Sequence, residues 1–178
     1  MKLNLLFVLL FSFYCHSQKK TPLDIELKVT CEKVEKKNDD GFDEIIVKTC
    51  YLKNYKFVST GSPDYKGRYF WEYQVYKLVN KKYVAIKNSD IFINSKYLEK
   101  YINNEIKKLY ESDKKIMDNS QCVSFIKLRP FQINEMGIDF NHENKMVFNT
   151  SFGLPSACLN VDRNMISMDL NQIKPYLK

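Results

Sequence analysis

The chain is poor in residues that several classes of protein depend on. Only 5 glycines and 5 prolines occur among its 178 residues, which excludes a collagen-like protein or a flexible linker. Arginine is also scarce, because Arg68, Arg129 and Arg163 are the only arginines among 28 basic residues. Proteins that read nucleic acids favour the two-pronged guanidinium group. The net charge of +7 is carried mainly by lysines interleaved with acids, so it indicates a solvated surface with at most a weak attraction to anionic envelope polymers.

Motifs for catalysis and for metal or cofactor binding are missing as well. There is no G-x-S-x-G sequence to present a nucleophilic serine and no glycine-rich loop to cradle phosphate. His142 cannot begin a pair of zinc ligands one helical turn apart, because Met146 stands four residues later. We therefore expect no metal and no cofactor, and we place His142 at the surface, at a strand end. The 21 acids leave a catalytic carboxylate pair open, with Asp139 the nearest to lying in an apolar run.

The first residues have the three parts of a secretory signal. Lys2 is the charged start, residues 3–14 are almost entirely apolar, and Cys15 and Ser17 are small residues at positions −3 and −1 of a cleavage site after Ser17. The apolar run is shorter than the ~20 residues that cross a bilayer. We predict that residues 1–17 are removed and that the protein is exported to the periplasm or the medium. An uncleaved anchor helix and lipidation of Cys15 are the alternatives, and the aromatic residue before that cysteine argues against lipidation.

Removal of residues 1–17 would leave the exported chain with an even number of cysteines. The mature chain keeps 161 of 178 residues, 27 basic against 21 acidic side chains (a net charge of +6), and four of five cysteines. An even number of cysteines in an exported chain is typical of disulfides. Alternating residues at 24–36 and 44–58 flank a turn signal and predict a hairpin. Cys31 and Cys50 lie about two residues out of register in it, so a bulge near Val34 would pair them, and Cys122–Cys158 follows by elimination.

A second hairpin is predicted after a loop at residues 59–63. Residues 68–79 form its first strand, which turns at Asn80-Lys81 into the second. Alternation divides the aromatic side chains of the first strand between two faces, with Tyr69, Trp71 and Tyr73 on one and Phe70 and Tyr76 on the other. Because this hairpin is apolar on both faces at its centre, we expect it in the middle of a sheet.

The rest of the chain predicts one long helix and several short elements. Residues 96–109 are amphipathic, with one face formed by Leu98, Tyr101, Ile102, Glu105, Ile106 and Leu109. We then expect a hairpin whose loop ends at Gly137 with a positive φ, an irregular stretch over 141–162, a strand at 165–168 and a short helical turn after Asp169. Residues 18–178 thus form one α+β domain, in which an antiparallel sheet of hairpins packs on one main helix.

Aromatic and basic residues interleave most densely between residues 65 and 83. The pattern allows two interpretations: a sheet core, or an open aromatic face that binds sugar rings or a partner protein. If the helix covers the Phe70 face, the opposite face stays partly open. We hypothesise a ligand-binding face anchored by Trp71, made of Tyr69, Trp71 and Tyr73 with Lys66 and Arg68 at its rim.

Several short motifs follow one another in the second half of the chain. Ser89-Asp90-Ile91-Phe92 precedes the helix, residues 131–140 (FQINEMGIDF) follow it, and residues 173–177 (IKPYL) close the chain. This order resembles a domain of unknown function in envelope proteins, found as the extracellular half of a lysozyme-sensing anti-sigma factor and, in related form, ahead of some polysaccharide deacetylases. The resemblance covers residues 61–178 and implies an α+β fold with a binding role. This chain differs in lacking a membrane span after the signal and in carrying Pro155 and Cys158.

We therefore expect an exported, non-catalytic binding module of the bacterial cell envelope. Its partner would be an envelope glycan or a protein, for which the resemblance implies a lysozyme-like enzyme, although a basic lysozyme fits a module of charge +6 poorly. Nucleic acid is not an expected partner, and no transmembrane span is expected after cleavage. The alternative is a small hydrolase that uses carboxylates on envelope polysaccharide, which two acids facing each other in a cleft would favour.

Overall fold

A computed structural model describes residues 27–37, 44–64, 68–116, 121–124, 126–154, 158 and 163–178. The predicted signal peptide, residues 1–17, and Lys66 lie outside the described residues. Within the described part, no helix is long and apolar enough to span a membrane.

Five consecutive strands form an antiparallel sheet in their sequence order. Their bounds are β1 Val29–Lys37, β2 Glu44–Leu52, β3 Tyr55–Pro63, β4 Tyr69–Val79 and β5 Lys82–Ile86. The predicted turn between β4 and β5 is confirmed, since Asn80 and Lys81 both have positive φ, 49° and 64°. Two such residues give the turn a twist that matches the twist of the flanking strands.

The predicted strand over 44–58 is two strands, because the chain reverses at Lys53, whose φ is 54°. The sequence shows the reversal as a change of phase, since Cys50 and Leu52 are buried at even positions and Tyr55 and Phe57 at odd positions. Residues 59–63, predicted as a loop, belong to β3.

The prediction that the β4–β5 hairpin lies in the middle of the sheet is wrong. β3 is central and β5 is an edge strand. Apolar side chains on both faces therefore do not require burial here, and several are between 38% and 54% exposed: Phe70, Leu78, Val79, Tyr83 and Val84.

Both predicted disulfides are present. Cys31 and Cys50 lie directly opposite each other with Cα atoms 4.1 Å apart, and the Cα atoms of Cys122 and Cys158 are 5.4 Å apart. The bulge expected near Val34 is absent, because β1 and β2 pair without interruption along their whole length. The pairing is centred between residues 40 and 41. The turn signal, residues 38–41 (NDDG), is centred one residue earlier.

The long helix, α1, spans Ser95–Ile116 and is longer at its C-terminal end than predicted. Leu98, Ile102 and Ile106 are at most 2% exposed, whereas Tyr101 and Leu109 are 39% and 41% exposed. The buried stripe is therefore narrower than the apolar pattern indicated.

A second antiparallel sheet contains β6 Gly137–Phe140, β7 Met146–Ser151 and β8 Arg163–Met168. The stretch over 141–162 was wrongly predicted to be irregular, since β7 lies within it. The hairpin turns at residues 141–145, and Gly137 instead begins β6 without a positive φ. A Cβ on Gly137 would lie 2.1 Å from the Tyr73 ring, so this position needs glycine for close packing. A short helix, α2 Gln121–Ser124, follows α1.

The last helical turn begins as predicted. The Asp169 N–H donates to Gln172 Oε1 at 3.0 Å, and α3 spans Leu170–Ile173. The chain end then pairs with the segment before α1 through the Phe92–Leu177 bridge, and the Ser89 N–H donates to Asn134 Oδ1. The motifs that flank α1 in the sequence thus meet in space near its N-terminus.

The core lies between the five-stranded sheet, the three-stranded sheet and α1. β6 packs against β3 and β4, and α1 packs against β8. Phe57 and Phe140 meet edge to face with ring centroids 5.1 Å apart. Beside them, Lys48 Nζ lies 3.0 Å from Asp139 Oδ1 and donates to the Phe140 carbonyl, which ties the two sheets together. The fold is α+β, as predicted.

Candidate functional site

Strand register places the candidate aromatic residues on the face that also carries the core. Tyr73, Trp71 and Tyr69 lie opposite Ser59, Gly61 and Pro63 of β3, on the same side as Phe57. We call this side the inner face. Phe70 and Tyr76 alternate with them and lie on the outer face, as predicted.

The helix does not cover the Phe70 face. Phe70 is 54% exposed, and α1 packs against β8 and the turn at Ile133–Glu135 instead. The three-stranded sheet provides the contacts with β3 and β4, and it does so on the inner face.

The cover extends over only part of the inner face. Five residues at one end are at most 1% exposed, and we call them the covered end: Cys50, Leu52, Tyr55, Phe57 and Val75. Among the described residues, burial decreases toward the start of β4, where Ile46, Tyr69 and Trp71 are only half-buried. These three residues and the backbone of Gly61 are the open end.

Trp71 forms the flat centre of the open end. Carbons of its six-membered ring lie 2.9–3.0 Å from where a Cβ on Gly61 would stand, so the indole rests on the Gly61 backbone. The Tyr69 ring lies beside it, with centroids 6.2 Å apart and planes inclined by 32°. The two rings form a continuous aromatic surface on the sheet.

Charged side chains of both signs border this surface. Lys33 Nζ lies 2.5 Å from Glu35 Oε1, and the two side chains are 53% and 48% exposed. Their hydrogen bond raises the pKa of Lys33 and lowers the pKa of Glu35, and Glu44 lies close enough to hydrogen-bond with Glu35. The rim therefore offers donors and acceptors that stay charged at neutral pH.

Arg68, a predicted rim residue, is held by the acid four residues before it. Its backbone N–H and its Nε donate to the Asp64 carboxylate, each at 2.8 Å, and Nη2 donates as well. The Arg68 side chain thus links the end of β3 to the start of β4 through Asp64. Its ligand-binding role stays a prediction.

Tyr73 lies where the covered end meets a small cavity. Its ring packs over Gly137, and it also lines a cavity of about 320 Å³ between β4, the end of β5 and residues 134–137. We call this cavity the polar pocket. Sequence reasoning missed its other side chains, because Gln74, Asn88 and Asn134 come from three separate segments and no shared motif marks them.

The aromatic residues of the outer face form a separate cluster. Lys56 Nζ lies 4.4 Å from the Tyr76 ring centroid and 4.9 Å from that of Tyr83. Tyr51 stands beside Tyr83, with ring centroids 6.2 Å apart. The described aromatic residues of 69–83 are thus divided between two surfaces.

The other candidates for chemistry have structural surroundings. His142 is 91% exposed beside Glu143, in the turn after β6, as predicted. Asp139 is paired with Lys48 at the contact between the sheets. Among the described residues, no group of three or more His, Cys, Asp or Glu side chains is placed to hold a metal ion.

Comparison of the chain with protein-family models, curated proteins and solved structures finds no match. We therefore infer function from the geometry of the open end and its surroundings.

Proposed function

We propose that the mature chain is an exported, non-catalytic binding module of the bacterial cell envelope, and that it binds an envelope glycan at the open end. The observation that carries this proposal is the half-buried indole of Trp71, which lies on Gly61 beside the Tyr69 ring.

An aromatic surface of this kind suits a sugar ring. The face of an aromatic ring is electron-rich, so it attracts the weakly positive C–H groups on the flat side of a pyranose. Gly61 lets the indole lie on the strand, because any larger side chain would lift it. Lys33 and Glu35 stand at the edge, where the hydroxyl groups of a stacked sugar need donors and acceptors.

Export agrees with the covalent structure. The described residues contain two disulfides, which form and persist in oxidising compartments. We place the protein in the periplasm or the medium on this basis and on the pattern of residues 1–17.

The charges at the open end favour binding over hydrolysis. A carboxylic acid that protonates a leaving group at neutral pH needs a raised pKa. Glu35 and Glu44 do approach each other, but the Lys33 ammonium lowers the pKa of Glu35, and the Glu35 side chain is 48% exposed rather than enclosed in a cleft. This pair therefore suits hydrogen bonding to a ligand better than proton transfer.

Co-sedimentation of residues 18–178 with purified peptidoglycan sacculi tests the proposal. We expect Trp71→Ala to weaken binding about 30-fold or more, which corresponds to ~2 kcal/mol. Phe70→Ala is the matched control, because Phe70 is an exposed aromatic residue next in sequence but on the outer face. Circular dichroism would check that both variants fold.

The same proteins would be passed over immobilised egg-white lysozyme. Binding to sacculi that Trp71→Ala leaves unchanged, or that Phe70→Ala weakens equally, would contradict the proposed site. Retention on lysozyme that depends on Trp71, without binding to sacculi, would replace the glycan with a protein partner.

A further inference from the structure

The polar pocket has walls that are held in place by internal hydrogen bonds. Asn88 Nδ2 donates to the carbonyls of Ile133 and Met136, at 3.0 and 2.6 Å. Asn134 Oδ1 accepts the Ser89 N–H at 2.9 Å. These bonds join the end of β5 to the turn before β6, so the pocket is formed before any ligand arrives.

The side chains that line the pocket retain hydrogen-bonding atoms that no other described residue uses. Gln74 donates through Nε2 to the carbonyls of Val75 and Ile86, and its Oε1 remains available. In the same way, Asn88 Oδ1 and Asn134 Nδ2 form no hydrogen bond with another described residue and remain available to a ligand. The lining therefore combines amide acceptors with an amide donor.

Charge in the lining is balanced rather than of one sign. Lys87 and Glu135 both border the pocket. Glu135 Oε2 accepts from Arg129 Nη1 and from the Gln132 N–H, both at 2.9 Å, which leaves Oε1 as a further acceptor. A carboxylate in the wall disfavours an anion and a lysine disfavours a cation. A neutral ligand with groups that both donate and accept, as hydroxyls do, fits this set of atoms.

The size and position of the pocket limit the ligand further. About 320 Å³ is at the small end of ligand sites, which suits one ring rather than a chain of rings. Tyr73 lines the pocket from the inner face, two residues along β4 from Trp71, whereas Gln74 alternates with Tyr73 and borders the pocket where the pairing with β5 ends. Two residues of a strand span about 7 Å, so a glycan stacked on Trp71 has the pocket within reach of a neighbouring sugar.

We propose that the polar pocket is a subsite for a single neutral sugar residue, bound through the amides of Gln74, Asn88 and Asn134. This inference rests on the proposed function, because the same glycan would occupy the open end and the pocket.

Titration of residues 18–178 with N-acetylglucosamine and with glucose, followed by two-dimensional NMR of the backbone amides, tests the subsite. We expect one of the two sugars to shift the amides of Asn88 and of residues 134–137. Gln74→Ala should weaken this binding at least tenfold. Glu72→Ala should not, since Glu72 is an exposed outer-face residue of the same strand that does not line the pocket.

The outcomes separate the subsite from the proposed function. If neither sugar shifts these amides while binding to sacculi still depends on Trp71, the subsite is overturned and the glycan-binding function stands. Shifts that Gln74→Ala and Glu72→Ala reduce equally would also overturn it. Shifts at the pocket that Trp71→Ala leaves intact, and Gln74→Ala abolishes, support the subsite whether or not sacculi are bound.

Discussion

The two ends of the inner face differ in what lies over them, although neighbouring parts of the same strands supply both. At the covered end, Phe57 is 1% exposed and packs edge to face on Phe140 of β6. At the open end, Trp71 lies on the same face and has a larger side chain, yet it is only half-buried. The difference shows that alternation decides which side of the sheet a residue faces, whereas the length of the covering element decides whether it is buried.

The length of β6 explains where the cover stops. β6 has four residues, Gly137–Phe140, so it can lie over only a short part of β3 and β4. Tyr73 packs on Gly137 at the first residue of β6, and Trp71 lies beyond it. β3 and β4, with nine and eleven residues, therefore extend beyond the four-residue strand that covers them.

The largest expected effect is at the covered end. Phe57→Ala should lower the free energy of unfolding by ~3–5 kcal/mol, because it removes a buried ring and leaves a cavity against Phe140. Trp71→Ala should lower it by only ~1–2 kcal/mol, since less of its surface leaves water on folding. Urea unfolding of both variants measures the difference, and an equal or greater loss for Trp71→Ala would show that Trp71 belongs to the core.

The disulfides give the next largest effect. Cys31→Ala with Cys50→Ala should cost ~3 kcal/mol, because the disulfide between β2 and the edge strand β1 restricts the unfolded chain. Cys122→Ala with Cys158→Ala should cost about half a kcal/mol more in the chain-entropy model, since that disulfide spans 36 residues rather than 19. Unfolding in guanidinium chloride would rank the two, and the opposite ranking would show that packing around Cys50 outweighs loop closure.

The same substitution at Gly137 and at Gly61 should have different effects at the two ends. Gly137→Ala would place a Cβ 2.1 Å from the Tyr73 ring, near its attachment point, and should cost ~1–3 kcal/mol. Gly61→Ala meets only the far edge of the Trp71 ring, at 2.9 Å, and a half-buried ring can lift away. It should cost less stability than Gly137→Ala but should weaken binding to sacculi.

Thermal unfolding and the co-sedimentation assay, applied to both alanine variants, would test this pair. A Gly61→Ala protein that binds sacculi as the wild type does would mean that the position of the indole on the strand is unimportant for the ligand.

The smallest effect concerns the turn that carries the chain into β6. Hydrogen bonds from Arg129 and from the Gln132 N–H lower the pKa of Glu135. A lowered pKa in the folded state stabilises the fold above the usual titration range of a glutamate, about pH 4, and this contribution is lost as the pH falls through the folded pKa. Because the Glu135 side chain is 41% exposed, Glu135→Gln should cost less than ~1 kcal/mol at pH 7.

Melting temperatures at pH 7 and pH 3 would check this prediction. The difference between the wild type and Glu135→Gln should be slight at pH 7 and smaller at pH 3, and a difference that grows at low pH would contradict the assigned cause.

Local patterns were sufficient for several elements. Helical spacing predicted α1 and its buried Leu98, Ile102 and Ile106, and strand alternation separated Trp71 from Phe70. Where a prediction was wrong, the residue pattern was compatible with more than one secondary structure. The turn at Lys53 was missed because the polar pair Lys53-Asn54 is short and has strand-forming residues on both sides. β7 was missed because Met146, Val147 and Phe148 are all apolar and buried, so the segment lacks the alternation that marks a strand.

Spacing along the chain and the turns between neighbouring strands are enough to assign which residues share a face, which cysteines pair and where the main helix forms. Tertiary packing, in contrast, covers Phe57 with a four-residue strand and leaves Trp71 half-buried, and it brings Gln74, Asn88 and Asn134 to the border of one cavity. Both outcomes depend on contacts between segments far apart in the chain, whose packing distances no local period encodes.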